Sequence, residues 1–211
     1  MLAKAPAWRL LALAALALAA LELAAPASSA TTDGLVRTCP STYVQPFTPW
    51  LDFADYVLVP NGDLESDAAG WQLDGGATVA PENESFYVGD PGDSSSLALP
   101  PGSSATTSSM CIGATSPDLR FFARTSGAVL STLKVEVLYT DMLGRSRALT
   151  VATLPGSSSW QPTAPVAFLT NLTLLPLLTS GTTTVAFRFT PQGSPSEWRI
   201  DDVYVDPFKG E

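Results

Sequence analysis

The sequence predicts an all-β protein, an antiparallel sandwich of two sheets, and three observations carry that prediction. Short apolar runs recur at intervals of roughly 10–15 residues, separated by Gly, Pro and Ser turns. Within those runs the side chains alternate between two faces with the period of two that marks a strand. No helical period of useful length is present after residue 30. Many short strands without helices bury their apolar faces by packing sheet on sheet.

Residues 1–30 stand apart. Lys4 and Arg9 give a positive start, Leu10 to Leu21 is an Ala/Leu run, and Ser28-Ser29-Ala30 offers small residues at −3 and −1 for cleavage. The apolar run before Glu22 is about 12 residues long, short of the roughly 20 that a membrane span takes. The reading is a cleaved secretory signal peptide, ending at Ala30 or Ala27, and a secreted mature protein with no membrane span.

Residues 31–55 are expected to form an extended N-terminal arm. Pro40, Pro46 and Pro49 exclude a regular element, while Tyr43, Phe47, Trp50 and Phe53 supply aromatic surface to lay on the domain. Cys39 and Cys111 both lie beyond the signal peptide. An even pair in an exported chain is expected to form a disulfide, two free thiols being the alternative. Closing so long a loop would contribute about 4 kcal/mol in the chain-entropy model.

From 56 to 208 strand and turn alternate. Tyr56 to Val59 is a short first strand that Pro60 ends. Trp71-Gln72-Leu73 precedes the turn signal Asp74-Gly75-Gly76. Ala77 to Ala80 and Phe86 to Val88 read as the next strands, with Gly89 to Ser96 a loop and Leu97 to Leu99 a further strand. After the turn Pro100 to Ser104 come Thr106 to Ile112 and Leu119 to Arg124. The clearest hairpin sets Thr132–Tyr139 against Arg147–Thr153 around the bend Asp141 to Gly144. Thr182 to Thr190 repeats the alternation with Val185, Phe187 and Phe189 inward. Phe168 to Leu178 is the exception. Its apolar run allows a helical turn, whereas Pro176 and its Thr residues favour an irregular crossing.

The last strand runs from Glu197 to Phe208. Strict alternation puts Arg199, Asp201, Val203 and Val205 on one face, and Trp198, Ile200, Asp202 and Tyr204 on the other. If Val203 and Val205 face a core, Asp201 faces it too, and a buried carboxylate needs a partner. The expected mate is far upstream, in Asn61-Gly62-Asp63-Leu64-Glu65, which Gly70-Trp71 follows.

With 11 basic and 20 acidic residues the chain carries a net charge of −9, a surface that repels phosphate backbones and excludes nucleic acid as a partner. There is no His, which removes Ser-His-Asp and Cys-His hydrolases and His-ligated metals.

Asn61-Gly62-Asp63-Leu64-Glu65, Gly70-Trp71, Ser96-Leu97-Ala98-Leu99 and Trp198 to Val205 resemble the landmarks of CenC-like carbohydrate-binding modules. The resemblance spans about residues 57–206. It implies a galactose-binding-domain-like jelly-roll β-sandwich that binds an extracellular or cell-wall glycan without catalysis. It also implies a structural Ca²⁺, with carboxylates from Glu65 and Asp201 and a backbone carbonyl from Asp63, the alternative being that Asp201 pairs with Arg199 or caps backbone amides. Two carboxylates with carbonyls and water suit an ion that takes six to eight hard oxygens. Such modules hold sugars on aromatic platforms, and Trp160, after Gly156 to Ser159, and Tyr87, before the Gly89 loop, are the expected exposed rings. Two other readings stay open. One is a structural or protein-binding envelope protein. The other is a glycoside hydrolase using paired carboxylates such as Glu82 and Glu84.

Overall fold

A computed structural model describes residue 39 and residues 42–113, 117–126, 130–141, 143–168 and 182–207. The signal-peptide reading of 1–30, and 168–178 beyond Phe168, lie outside those residues. Thirteen strands are described. They are β1 (Val57–Leu58), β2 (Gln72–Asp74), β3 (Thr78–Pro81), β4 (Ser95–Leu99), β5 (Ser104–Thr106), β6 (Met110–Gly113) and β7 (Asp118–Thr125). The rest are β8 (Ser131–Thr140), β9 (Ser146–Pro155), β10 (Gln161–Pro162), β11 (Val166–Ala167), β12 (Thr182–Gly193) and β13 (Trp198–Asp206).

They form two antiparallel sheets. Sheet one has the order β10-β7-β13-β4-β3, with β1 also on β13 and β11 on β7. Sheet two has the order β2-β5-β12-β8-β9, with β6 also on β12. The alternation seen in the sequence explains the core. Leu133, Val135 and Val137 of β8 and Val185, Phe187 and Phe189 of β12 meet Leu97, Leu119, Phe121 and Ile200 of sheet one, all buried. The core is thus the apolar face of each sheet laid on the other.

Two expected strands differ. Phe86 to Val88 is a turn, because the Glu84 carboxylate accepts hydrogen bonds from the Phe86 and Val88 amides and bends the chain round itself. The stretch 106–112 is divided into β5 and β6, each pairing with a different part of β12. The Thr107 hydroxyl takes the Phe187 amide between them.

The largest correction falls on β13. Its pairing with β7 runs Asp201 opposite Phe122, then Tyr204 opposite Arg120, so one extra residue is inserted. Asp202 is at φ 49°, the left-handed backbone that lets a bulge form. Trp198 and Ile200 therefore face the core, and so do Val203 and Val205. Asp201 lies opposite Phe122 on the outer face instead. The opening motif docks on this bulge, with Val59 N donating to Val203 O (2.9 Å) and Val203 N to Gly62 O (3.0 Å). A Cβ at Gly62 would stand 2.7 Å from Val203 O, so only glycine lets the two segments touch.

The outer face of sheet one is covered. Phe47, Tyr56, Phe122, Trp160 and Tyr204 form a second buried cluster there. The segment that bears Phe47 makes a short 3-10 turn, Thr48–Trp50, and pairs through Val44 and Tyr56. Arg120 stacks on the Phe47 ring at 4.3 Å and pairs with Asp52 at 2.6 Å. Arm and sandwich belong to one unit, Leu35–Glu211. Cys39 is bonded to Cys111 of β6, with Cα atoms 5.6 Å apart, so a sheet-two strand anchors a segment that covers sheet one. Intact-mass measurement of the unfolded, unreduced protein after alkylation should show no added label. Two labels there would refute the bridge.

Candidate functional site

Two places gather chemistry, one on each sheet. The first is an acidic niche where the opening motif, the loop from Glu84 to Asp93 and the β13 bulge meet. Asp201 and Glu84 are occupied within the fold. Asp201 accepts the Glu84 amide (2.9 Å) and the Asp202 amide (2.9 Å), while Glu84 turns its own carboxylate to the loop. Glu65 accepts the Ser94 and Ser95 amides at 2.8 and 2.7 Å, fixing the start of β4.

Asp202 is different. It is 1% exposed, and neither carboxylate oxygen has a hydrogen-bond partner. A Cβ on Gly89 would stand 3.2 Å from Asp202 Oδ1 and 2.7 Å from Asp93 Oδ2, so both carboxylates close on one glycine. Burial first, and then the charges of Glu84, Asp93, Asp63 and Glu65, raise the Asp202 pKa to about 8. Asp93 is raised by its own burial, then by Glu65, Asp63 and Asp90. Three segments thus point negative charge at one another, with an orphaned carboxylate at the centre. Among the described residues no group of three or more acidic or thiol side chains is placed to hold a metal ion.

The second place is a cleft of about 530 Å³ on the outer face of sheet two, crossing β12, β8 and β9. Its lining includes Leu138, Ala148, Ala186 and Arg188, with hydroxyls from Thr140 and Thr184. Position sets this lining. Thr184, Ala186 and Arg188 alternate with the core residues Val185, Phe187 and Phe189 along β12. Leu138 and Thr140 alternate with Val137 and Tyr139 along β8. Small side chains at 148 and 186 leave the hollow.

Comparison with known proteins bears on this architecture. No protein-family model matches the chain, and no curated protein matches it. Solved structures do. The CBM22-1–CBM22-2 tandem domain of Paenibacillus barcinonensis Xyn10C aligns with a TM-score of 0.50 at 13% identity, over 74% of this chain and 46% of that one. The C-terminal family 22 carbohydrate binding module of Clostridium thermocellum Xyn10B gives 0.47 at 16% identity, over 71% and 91%. The enzymatically active domain of bacteriophage CBA120 tailspike protein 4 gives 0.45 at 16%, over 70% and 21%. The chain spans less than half of the tandem domain and about a fifth of the tailspike domain.

The fold is a jelly-roll β-sandwich, like that of the Paenibacillus tandem domain.

Of the residues singled out in the sequence, the fold brings Asp63 and Glu65 to the acidic niche, where Asp202 in place of Asp201 offers free oxygens. Trp160 is not an exposed ring. It is 6% exposed, its indole N–H donates to Glu82 (3.1 Å), and Arg124 stacks on it at 5.6 Å. Tyr87 is 51% exposed and follows Phe86, whose ring meets Trp50 edge-on at 4.9 Å. Tyr87 therefore lies on the arm side of the molecule, away from the cleft. Glu82 and Glu84, the paired carboxylates, are separately engaged, Glu82 with Arg124 and Trp160 and Glu84 with amides. Asp202, Asp93 and the cleft lining escaped the sequence reading, although small residues at outward positions of β9 and β12 were visible in the alternation.

Proposed function

We propose that this chain is an exported, calcium-stabilised module that binds a glycan in the cleft of sheet two and performs no catalysis. The observation that carries it is the asymmetry of the two outer faces. The arm seals sheet one, and sheet two keeps an open hollow across three strands. The shared fold supports a sugar chain as ligand, since the Paenibacillus structure of like fold is a tandem of family 22 modules. The disulfide supports an oxidising compartment. No helix among the described residues is long and apolar enough to cross a membrane.

Calcium belongs to this proposal through Asp202. A buried carboxylate with both oxygens unpartnered fits a hard cation, and Asp202, with Asp93 closing on the same glycine, is the residue that would hold it. Backbone carbonyls and water would complete the shell. When bound, the ion would neutralise charge that otherwise sets the opening motif, the Gly89 loop and the last strand against each other.

The test is affinity electrophoresis against a panel of soluble polysaccharides. At least one should retard the protein, and Ala148→Trp, which fills the cleft from an exposed strand position, should abolish the retardation while leaving the melting temperature unchanged. Retardation by none would overturn the glycan reading. Retardation lost on Tyr87→Ala but kept in Ala148→Trp would move the ligand to the arm side.

A further inference from the structure

The chain as a whole is acidic, but the cleft is not. Strands β8, β9 and β12 with the β8–β9 bend carry Lys134, Arg145, Arg147 and Arg188 against only Glu136 and Asp141. Of these, Arg147 and Arg188 line the cleft itself, with no carboxylate lining it among the described residues, in a protein with 11 basic and 20 acidic residues. Glu136 serves two cations at once. Arg188 Nε lies 2.9 Å and Lys134 Nζ 3.1 Å from the same oxygen. Burial raises the Glu136 pKa, but Arg188 and Lys134 outweigh it and hold the group below the usual carboxylate range. One positive charge is left over at that end. At the bend, Asp141 accepts Arg147 Nε (2.8 Å) and the Leu143 and Arg145 amides, while the Arg145 side chain is exposed. A second charge is left over there.

The rest of the lining tells the same story. Among the described residues it holds hydroxyls at Ser109, Thr140, Ser146 and Thr184 and a single aromatic residue, Tyr139, with no Trp or Phe. A neutral sugar gains most from a flat ring under its C–H face, which this cleft does not offer. An acidic sugar gains from charge-assisted bonds to a guanidinium, and Arg188 already shows that pairing with Glu136.

We propose that the cleft takes an acidic glycan, a polysaccharide with carboxylate groups along the chain, held by the charge around Arg188 and Lys134 with the hydroxyl rim around the sugar ring. This rests on the glycan-binding reading above and names its ligand class. Long-range attraction would be local, because the remainder of the surface is negative. A carboxylated ligand would compete with Glu136 for Arg188.

The full chain should be run in affinity electrophoresis with polygalacturonate, fully methyl-esterified pectin, neutral xylan and single-stranded DNA. Polygalacturonate should retard it, more weakly as salt rises, and the esterified and neutral chains should bind about tenfold more weakly or worse. Arg188→Gln should lose about tenfold in affinity. Glu136→Gln should gain affinity by removing the internal competitor, a direction that a damaged fold does not produce, so this variant decides even if Arg188→Gln fails to fold. Equal binding of neutral xylan and polygalacturonate, unmoved by both variants, would overturn the acidic class and leave the glycan reading standing. Binding to no polysaccharide would overturn both. DNA bound as tightly as polygalacturonate would reduce the cleft to a polyanion patch and overturn the proposal.

Discussion

EDTA should lower the melting temperature of the calcium-loaded protein by roughly 5–10 °C, and Asp202→Asn should remove that response. The size follows from mass action. A ligand at about 100 times its dissociation constant contributes roughly 2.7 kcal/mol, and a domain of this size shifts by about 2–4 °C per kcal/mol. The direction follows from Asp202. Its two oxygens are buried without a partner, and the charges of Glu84, Asp93, Asp63 and Glu65 raise its pKa further. Without a cation that site is unfavourable whether the group is ionised or protonated. Asn removes the charge and tolerates the left-handed φ of 49° that the bulge imposes. In EDTA, then, Asp202→Asn should melt no lower than the natural chain, whereas with calcium it should melt well below it. Asp201→Ala should differ from both, because it takes the acceptor away from the Glu84 and Asp202 amides and destabilises with or without calcium. Scanning calorimetry of the three proteins with and without the ion separates these outcomes. An EDTA response that persists in Asp202→Asn would rule out this niche as the site.

The same two aspartates show how far sequence reading goes here. That the opening motif meets the last strand was legible, and the Val59–Val203 and Val203–Gly62 bonds are that meeting. Which aspartate offers its oxygens was not. A period-two pattern assigns faces only while the strand stays regular, and one inserted residue reverses every face beyond it. Asp201 and Asp202 are the same residue type, so nothing in the composition of the strand marks the insertion. Val203 and Val205 on the core side are compatible with Trp198 and Ile200 on that side only if a residue is skipped, and that was the available signal. Trp160 failed for another reason. A Ser-rich approach suggests an exposed ring, but its burial is made by Arg124 and Glu82, far away in the chain. The sheets themselves were readable because each strand's apolar side is continuous from end to end. The cleft was not, because a hollow is defined by what small residues on three neighbouring strands leave out.

The arm supplies the other large effect. Asp52→Ala should destabilise the protein by about 3 kcal/mol, as breaking one half of a buried ion pair does. Asp52 lies 2.6 Å from Arg120 Nη1, with side chains 19% and 7% exposed, and it also takes the Tyr56 hydroxyl at 2.8 Å. Removing it leaves the Arg120 charge under the arm with its remaining hydrogen bond to Thr163 O alone. Tyr56→Phe removes only one of those bonds and should cost about 1 kcal/mol. The pH dependence has a definite sign. Burial raises the Asp52 pKa, but the Tyr56 hydroxyl, the Ala54 amide and Arg120 together bring it below its ordinary value of 3.8. A folded pKa below the unfolded one means that the stabilisation is complete above the unfolded value and is lost as pH falls through the folded one. The gap in urea midpoint between the natural chain and Asp52→Ala should therefore be constant from neutral pH to about pH 5 and close progressively below about pH 4. A gap that stayed the same down to pH 2 would assign the loss to packing around Phe47. In that case Phe47→Ala, at about 3–5 kcal/mol for a fully buried ring, would account for what holds the arm on sheet one.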